Sequence, residues 1–81
     1  RLIVFPNPSP SRINFKVSET EGPIRNIQVF DGTGRTISDV EFEGISQNSG
    51  HFQISKSGLF YVCFQFENGN SVWKKVAVTK I

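Results

Sequence analysis

Apolar and polar positions alternate along this chain, and the pattern is strongest between Gly58 and Phe66. Successive side chains of a strand point to opposite faces, so every second residue of this stretch falls on one side. That side is wholly apolar and consists of Phe60, Val62, Phe64 and Phe66. The other side is mostly apolar as well. Aromatic and β-branched residues favour such a setting, so the pattern predicts a buried central strand.

A hairpin is predicted directly after this strand. The dipeptide Asn68-Gly69 separates it from a second alternating run over residues 71–79. Asn-Gly readily adopts positive φ, which makes it a strong signal for a tight turn between two strands. In the second run Val72, Val76 and Val78 share one face. We therefore expect the run to pair with the central strand.

Five further strands are predicted from the same alternation, with turn signals about every 8–12 residues. They are Leu2–Phe5 and residues 12–18, 24–30, 35–43 and 51–55. The parity of the stretch 35–43 is irregular, which we interpret as a bulge or an irregular edge strand near Ser38-Asp39. No segment has a helical pattern. The prediction is an all-β fold, an Ig-like antiparallel β-sandwich of about seven short strands.

Length and composition indicate one small domain over residues 1–81, and its eight Phe and one Trp can supply the core. Each large apolar side chain contributes roughly 1.5–3 kcal/mol when buried. The net charge of +2 is too small and too scattered to indicate nucleic acid or an anionic membrane as partner. No apolar run reaches the roughly 20 residues of a membrane helix. The chain begins at Arg1, contains no Met and has no signal peptide, so we expect a piece of a longer protein.

The residues needed for catalysis or metal binding are scarce. His51 is the only histidine and Cys63 the only cysteine, so no internal disulfide can form. Cys63 lies mid-strand among apolar residues, where a thiol behaves as a small hydrophobe and lacks the surroundings that activate it. A zinc site would need more such ligands. The acids Asp39, Glu41 and Glu43 could meet calcium, but a solvated strand face is favoured, because calcium draws about six to eight oxygens from a folded loop. The sequence predicts no enzyme, no metal and no cofactor.

Three stretches, taken in order, form a pattern that spans almost the whole chain. They are Val4-Phe5-Pro6-Asn7-Pro8-Ser9, then Ile27-Gln28-Val29-Phe30-Asp31-Gly32-Thr33-Gly34-Arg35, and last Gly58-Leu59-Phe60-Tyr61-Val62 with Lys75-Val76-Ala77-Val78-Thr79-Lys80. Their order and separation resemble the C-terminal sorting domain of type IX secretion cargo proteins, found in the Bacteroidetes. One departure is that Phe60 stands where that family usually has tyrosine.

The resemblance implies that the domain acts as a sorting signal for the protein that carries it. By the family pattern, an N-terminal signal peptide outside this chain takes the cargo to the periplasm. Shuttle proteins and the outer-membrane translocon of the type IX system then recognise the folded domain. A sortase-like peptidase afterwards cuts upstream of Pro6 and joins the cargo to an anionic lipopolysaccharide. The cargo is thus expected in the periplasm in transit, and then secreted or at the cell surface.

The resemblance also assigns a signal motif to particular residues. These are Pro6, Asn7 and Pro8 in a stiff turn, Asp31, Gly34 and Arg35 in the middle stretch, and Gly58, Lys75, Val76 and Val78 in the last one. For the glycines and valines a role in the fold is favoured. For Arg35 and Lys75 a role in recognition is favoured, because exposed charges contribute little to stability.

Two other functions remain open from the sequence. A binding module for carbohydrate or adhesion could use Trp73 and Tyr61 as a stacking platform, although packing against the sheet is favoured for both rings. A fibronectin-like spacer with a purely structural role is the third hypothesis. An edge strand, Leu2–Phe5 or residues 35–43, could also pair with another chain, in a dimer or with a receptor.

Overall fold

Seven β-strands make up the part of the chain that the computed structural model describes, which is residues 2–6, 12–17, 23–38, 40–44 and 48–79. They are β1 (Leu2–Phe5), β2 (Arg12–Val17), β3 (Ile24–Asp31), β4 (Val40–Glu43), β5 (Ser49–Ile54), β6 (Gly58–Phe66) and β7 (Ser71–Val78). These ranges contain no helix, and so none long and apolar enough to cross a membrane. The predicted all-β class is confirmed.

The strands form two antiparallel sheets, one in the order β1-β2-β5-β4 and the other in the order β3-β6-β7. The predicted sandwich is thereby confirmed. The strand predicted to be central, β6, lies between β3 and β7. In the four-stranded sheet β1 and β4 are the two outer strands, as predicted. Pairing of an outer strand with another chain stays a prediction.

The core lies between the sheets and contains the side chains that alternation placed inward. Phe15 of β2 and Phe64 of β6 meet across it, with ring centroids 5.3 Å apart. Each belongs to a different sheet, so this contact joins the two layers. Among the described residues, the largest fully buried side chains are Phe15, Phe52, Phe64, Phe66, Ile13, Ile54, Val29, Val62 and Val76. Burial on this scale is the main stabilising contribution in so small a domain.

The stretch 35–43 is not one strand, and the prediction of a continuous element there is wrong. Thr36 makes an isolated antiparallel bridge with Phe30, and the Ile37 N–H donates to the Val29 carbonyl oxygen at 2.8 Å. Only Val40–Glu43 then pairs with β5 in the other sheet. The irregular parity arises because the chain folds back on β3 before it crosses between sheets. Asp39, one of the two residues at the predicted bulge, lies outside the described residues.

The hairpin between β6 and β7 is confirmed, but Asn68 does not have the expected positive φ. In this turn only Gly69 has positive φ, at 93°. Every described residue with positive φ is a glycine. The Gly69 N–H donates to the Phe66 carbonyl oxygen at 3.0 Å, and the Phe66 N–H donates to the Asn70 carbonyl oxygen at 2.9 Å. This is a β-turn followed by a glycine bulge, which suits the twist of a hairpin.

Candidate functional site

The three motif stretches, far apart in sequence, converge at one end of the sandwich. Because neighbouring strands are antiparallel, β1, β3, β5 and β7 all finish at this end, where β2, β4 and β6 begin. Residues 55–57 join β5 of one sheet to β6 of the other there. Pro6, residues 31–35, Gly58 and Val78 therefore all lie at this end of the sandwich, which we call the motif end. Pro6 follows the outer strand β1 of one sheet, and residues 31–35 follow β3 of the other. Gly58 pairs with Val78 across β6 and β7. Asn7 and Pro8 lie outside the described residues.

One carboxylate organises the turn that follows β3. The Oδ1 atom of Asp31 accepts the Thr33 N–H at 2.8 Å, the Thr33 hydroxyl at 2.6 Å and the Arg35 N–H at 3.0 Å. The Asp31 N–H donates to the Arg35 carbonyl oxygen at 2.9 Å, and the Gly34 N–H donates to the Asp31 carbonyl oxygen at 3.0 Å. The backbone pattern repeats that of the β6–β7 turn. Asp31 thus positions Arg35, whose side chain is exposed.

These contacts hold the pKa of Asp31 below its ordinary value of 3.8, first through the Thr33 hydroxyl and then through the Arg35 backbone amide. Both donors favour the charged carboxylate over the protonated form. A lowered folded-state pKa stabilises the fold at every pH above the unfolded value. That contribution is lost as the pH falls through the folded-state pKa.

We expect Asp31→Asn to lower the midpoint of thermal unfolding at neutral pH, because an amide oxygen is a weaker acceptor than a carboxylate. The difference from wild type should begin to shrink below pH 3.8, where Asp31 of the unfolded chain takes up a proton, and it should vanish as the pH falls through the lower folded-state pKa. Thermal unfolding curves of both proteins over a pH series measure this difference in midpoint. A difference that stays constant into acid would contradict the role given to the Asp31 charge.

Gly34 has a φ of 91°, a conformation that side chains with a Cβ rarely adopt. We expect Gly34→Ala to cost about 1–2 kcal/mol of the free energy of unfolding from backbone strain alone. No atom lies within 4 Å of the added Cβ, so packing contributes nothing to this cost. Gly32→Ala is the matched control, since Gly32 lacks positive φ and its Cβ would sit 3.7 Å from the Leu59 carbonyl oxygen. The free energy of unfolding of this control, measured with urea, should stay near that of wild type. Equal losses in both variants would rule out backbone strain at Gly34 as the cause.

An open groove of about 350 Å³ lies at the motif end, between the Asp31 turn and the β5–β6 connection. Its lining is Asp31, Gly32, Thr33, Lys56, Ser57, Gly58, Leu59 and Phe60. Leu59 is 43% exposed there. Gly58 has a φ of 139°, and a Cβ at that position would only touch the Phe60 ring at 3.8 Å. Backbone conformation, more than space, is therefore the constraint on Gly58.

The last motif stretch divides between core and surface. Val76 and Val78 are exposed by only 0% and 2%, so any effect they have is exerted through the fold. Lys75 is exposed, as expected, but it pairs with Tyr61 partway along the sheet and not at the motif end. Among the predicted motif residues, Arg35 is the basic one that lies at this end, and its side chain is exposed.

The outer face of the three-stranded sheet holds a feature that the motifs did not indicate. Trp73 is 57% exposed, and its ring lies 5.3 Å from that of Phe30. Trp73 pairs with Cys63 on β6, whereas Phe30 pairs with Tyr61 from the other side. The two rings therefore meet above β6, and Cys63 beneath them is buried. Trp73 packs against the sheet, the arrangement favoured from the sequence, and it is also exposed, as the alternative of a stacking platform would need; its contact with Phe30 is the part that sequence reasoning missed.

His51 and Cys63, the one histidine and the one cysteine from which a base and a thiol nucleophile could be drawn, lie on opposite sides of the core. His51 is on the outer face of the four-stranded sheet, and Cys63 is on that of the three-stranded sheet. The His51 ring nitrogens lie 3.2 and 3.3 Å from an Nη atom of Arg12. Glu41 and Glu43 are exposed on β4. Across the described ranges, no group of three or more His, Cys, Asp or Glu side chains could hold a metal ion.

Comparison with known proteins identifies the family. The model of the family described as the secretion system C-terminal sorting domain matches residues 3–79. Neither the curated proteins nor the solved structures include a match to this chain. The matched region contains all three motif stretches apart from the final residue of the last one, Lys80. The chain therefore belongs to the secretion system C-terminal sorting domain family, whose members are sorting signals of type IX secretion.

Proposed function

We propose that this domain is the sorting signal that directs a longer cargo protein through the type IX outer-membrane translocon. The observation that carries the proposal is the family match over residues 3–79. The domain itself then performs no chemistry. Its task is to fold, to present a recognisable surface and to be bound.

The geometry supports recognition of the folded domain. Pro6, the Asp31 turn and Gly58 are separated by long stretches of sequence and reach the same end of the domain only when the sandwich forms. An unfolded cargo would not present them on one surface. In this proposal the translocon or a shuttle protein contacts the exposed Arg35, while the hydrogen bonds of Asp31 hold the turn in place.

The remaining steps of the proposal follow the family pattern. The cargo passes through the periplasm, crosses the outer membrane and is then freed from the domain by a sortase-like peptidase. Attachment to a cell-surface lipopolysaccharide follows. We place the cut before β1, because Leu2 is 5% exposed and pairs with Val17, so a cut inside β1 would remove a core strand.

A reporter fusion tests the proposed function. A reporter that carries an N-terminal signal peptide is joined to residues 1–81 and expressed in a type IX-competent host. We expect the reporter outside the cell. The matched controls are the same fusion in a translocon-deficient strain and the reporter without the domain, both of which should stay in the periplasm. Periplasmic retention of the complete fusion in the competent host would refute the proposal, and glycan binding by the isolated domain would then favour the binding-module hypothesis.

A further inference from the structure

The two outer faces of the sandwich differ in chemistry. The four-stranded sheet presents four exposed charged side chains, Arg12, Lys16, Glu41 and Glu43, and we call this side the charged face. Two apolar side chains, Ile3 and Phe5 of the outer strand β1, are also exposed there, by 48% and 46%. The three-stranded sheet presents Phe30, Leu59, Tyr61 and Trp73, which we call the aromatic face. Among the described residues of this sheet from Asn26 onward that point outward, Lys75 is the one that carries a charge.

The aromatic face is contiguous and accessible. Trp73 is 57% exposed and Leu59 is 43% exposed, while Phe30 and Tyr61 are half-buried. Phe30, Tyr61 and Lys75 occupy one row across the three strands. The core lies on the other side of this sheet, so the fold does not require large apolar groups here. Clustered exposed apolar side chains on a soluble domain mark an interaction surface more often than scattered ones do.

The aromatic face continues into the motif end. Leu59 belongs to both, because it also lines the groove beside Asp31 and Gly58. Residues that the family motif singles out therefore border the apolar surface directly. One partner could contact both regions without reaching around an edge of the sandwich.

Charge around this combined surface is predominantly positive. Lys75 lies on the aromatic face, and Arg35 and Lys56 lie at the motif end. The acid nearby is Asp31, whose Oδ1 atom already accepts three hydrogen bonds within its own turn. The other described acids lie elsewhere: Glu41 and Glu43 on β4, and Glu67 in the turn at the opposite end. A complementary partner surface would be apolar at its centre and acidic at its rim.

We propose that the aromatic face, with the motif end, is the docking surface for a protein component of the type IX machinery. The partner surface is apolar with acidic side chains around it. This inference rests on the proposed function and names the part of the domain that carries it out. Trp73 is the central anchor, since exposed tryptophan and tyrosine that become buried dominate binding at protein interfaces.

A protein partner fits this face better than a sugar. Sugar and other small-ligand sites place several polar groups around an apolar platform in a concave setting. Here the amides of Asn26 and Gln65 bond to each other at 3.0 Å, so they are already engaged. The rings of Phe30 and Trp73 are tilted by 34° and do not form one flat platform. The groove of about 350 Å³ lies at the motif end, beyond these rings.

The test uses the reporter fusion with three single variants, Trp73→Ser, Leu59→Ser and Lys75→Glu. Loss of an interface anchor typically weakens binding by about tenfold or more, so we expect export to fall by about that factor for Trp73→Ser. Leu59→Ser and Lys75→Glu should lower export as well. These two lie at exposed positions, so purified domains should unfold near the wild-type temperature. If Trp73→Ser also weakens the fold by uncovering Cys63, export of the Leu59→Ser and Lys75→Glu variants decides whether the aromatic face is the docking surface.

The matched controls make equivalent changes on the charged face. Ile3, 48% exposed on β1, is changed to Ser, and Lys16 is changed to Glu. Both should leave export unchanged. If the wild-type fusion is exported and the Trp73, Leu59 and Lys75 variants are exported equally well, the docking surface is wrong while the proposed function stands. Glycan binding by the isolated wild-type domain that Trp73→Ser abolishes, with normal export of that variant, would also overturn it, in favour of a glycan platform. Retention of the wild-type fusion would refute the proposed function and this inference together.

Discussion

A domain shortened by residues 73–81 is expected to be unfolded and not exported. The deletion removes most of β7, including Val76 and Val78, which are buried in the core. Each of these side chains contributes roughly 1.5–3 kcal/mol when buried. A domain of this size has about 4–12 kcal/mol of total stability, so the two valines alone account for much of it. The deletion also removes one of the two backbone partners of β6 over most of its length and leaves only β3.

Circular dichroism and limited proteolysis of the purified domain measure the fold, and the reporter fusion measures export. The matched control is a deletion of residues 80–81 only, which leaves β7 complete over Ser71–Val78. We expect this control to fold. A 73–81 deletion that stays folded but is not exported would contradict the structural role given to β7. It would place the signal in the terminal residues themselves.

The second large effect is expected from Phe64→Ala, which should cost about 3–5 kcal/mol of the free energy of unfolding. Phe64 is fully buried on β6 and meets Phe15 of the opposite sheet at 5.3 Å. Removal of the ring opens a cavity where the two layers join, and the surrounding strands can close it only in part. The loss is comparable with the whole stability of the domain.

Phe42→Ala provides the matched comparison. Phe42 also packs on a core ring, that of Phe52 at 5.5 Å, but it is 42% exposed. Its truncation should therefore cost only roughly 1–2 kcal/mol, because less apolar surface returns to water. Urea unfolding of the two variants gives the comparison. Equal losses would show that Phe64 does not occupy the special position between the sheets that we assign to it.

The hairpins show how local signals can predict an element and still miss its conformation. Asn68-Gly69 correctly predicted the turn between β6 and β7, yet the positive φ belongs to Gly69 alone. Around Asp31 the two glycines were equivalent in the sequence, and only Gly34 has positive φ. In both turns the backbone hydrogen bonds decide which residue takes the left-handed conformation. A dipeptide signal cannot show those bonds, because one partner in each lies outside it.

For the candidate site, the sequence named residues but not their arrangement. The resemblance points to Pro6, Arg35 and Gly58 in separate stretches, and the strand directions place all three at one end of the sandwich. It points equally to Lys75, which lies farther along the sheet, beside Tyr61. The direction in which a side chain points follows from parity. Its neighbours on the adjacent strands follow from the register, which sequence alone leaves open.

The sequence by itself determined the all-β class, the central position of β6 and the inward face of each main strand, because side chains alternate with a period of two residues that is local. Only the tertiary structure decided how the strands divide between two sheets, since pairing joins residues far apart along the chain. It also decided that the stretch 35–43 folds back on β3 before it crosses to β4. The same folding left Trp73 exposed above Cys63, because exposure depends on what the rest of the chain covers.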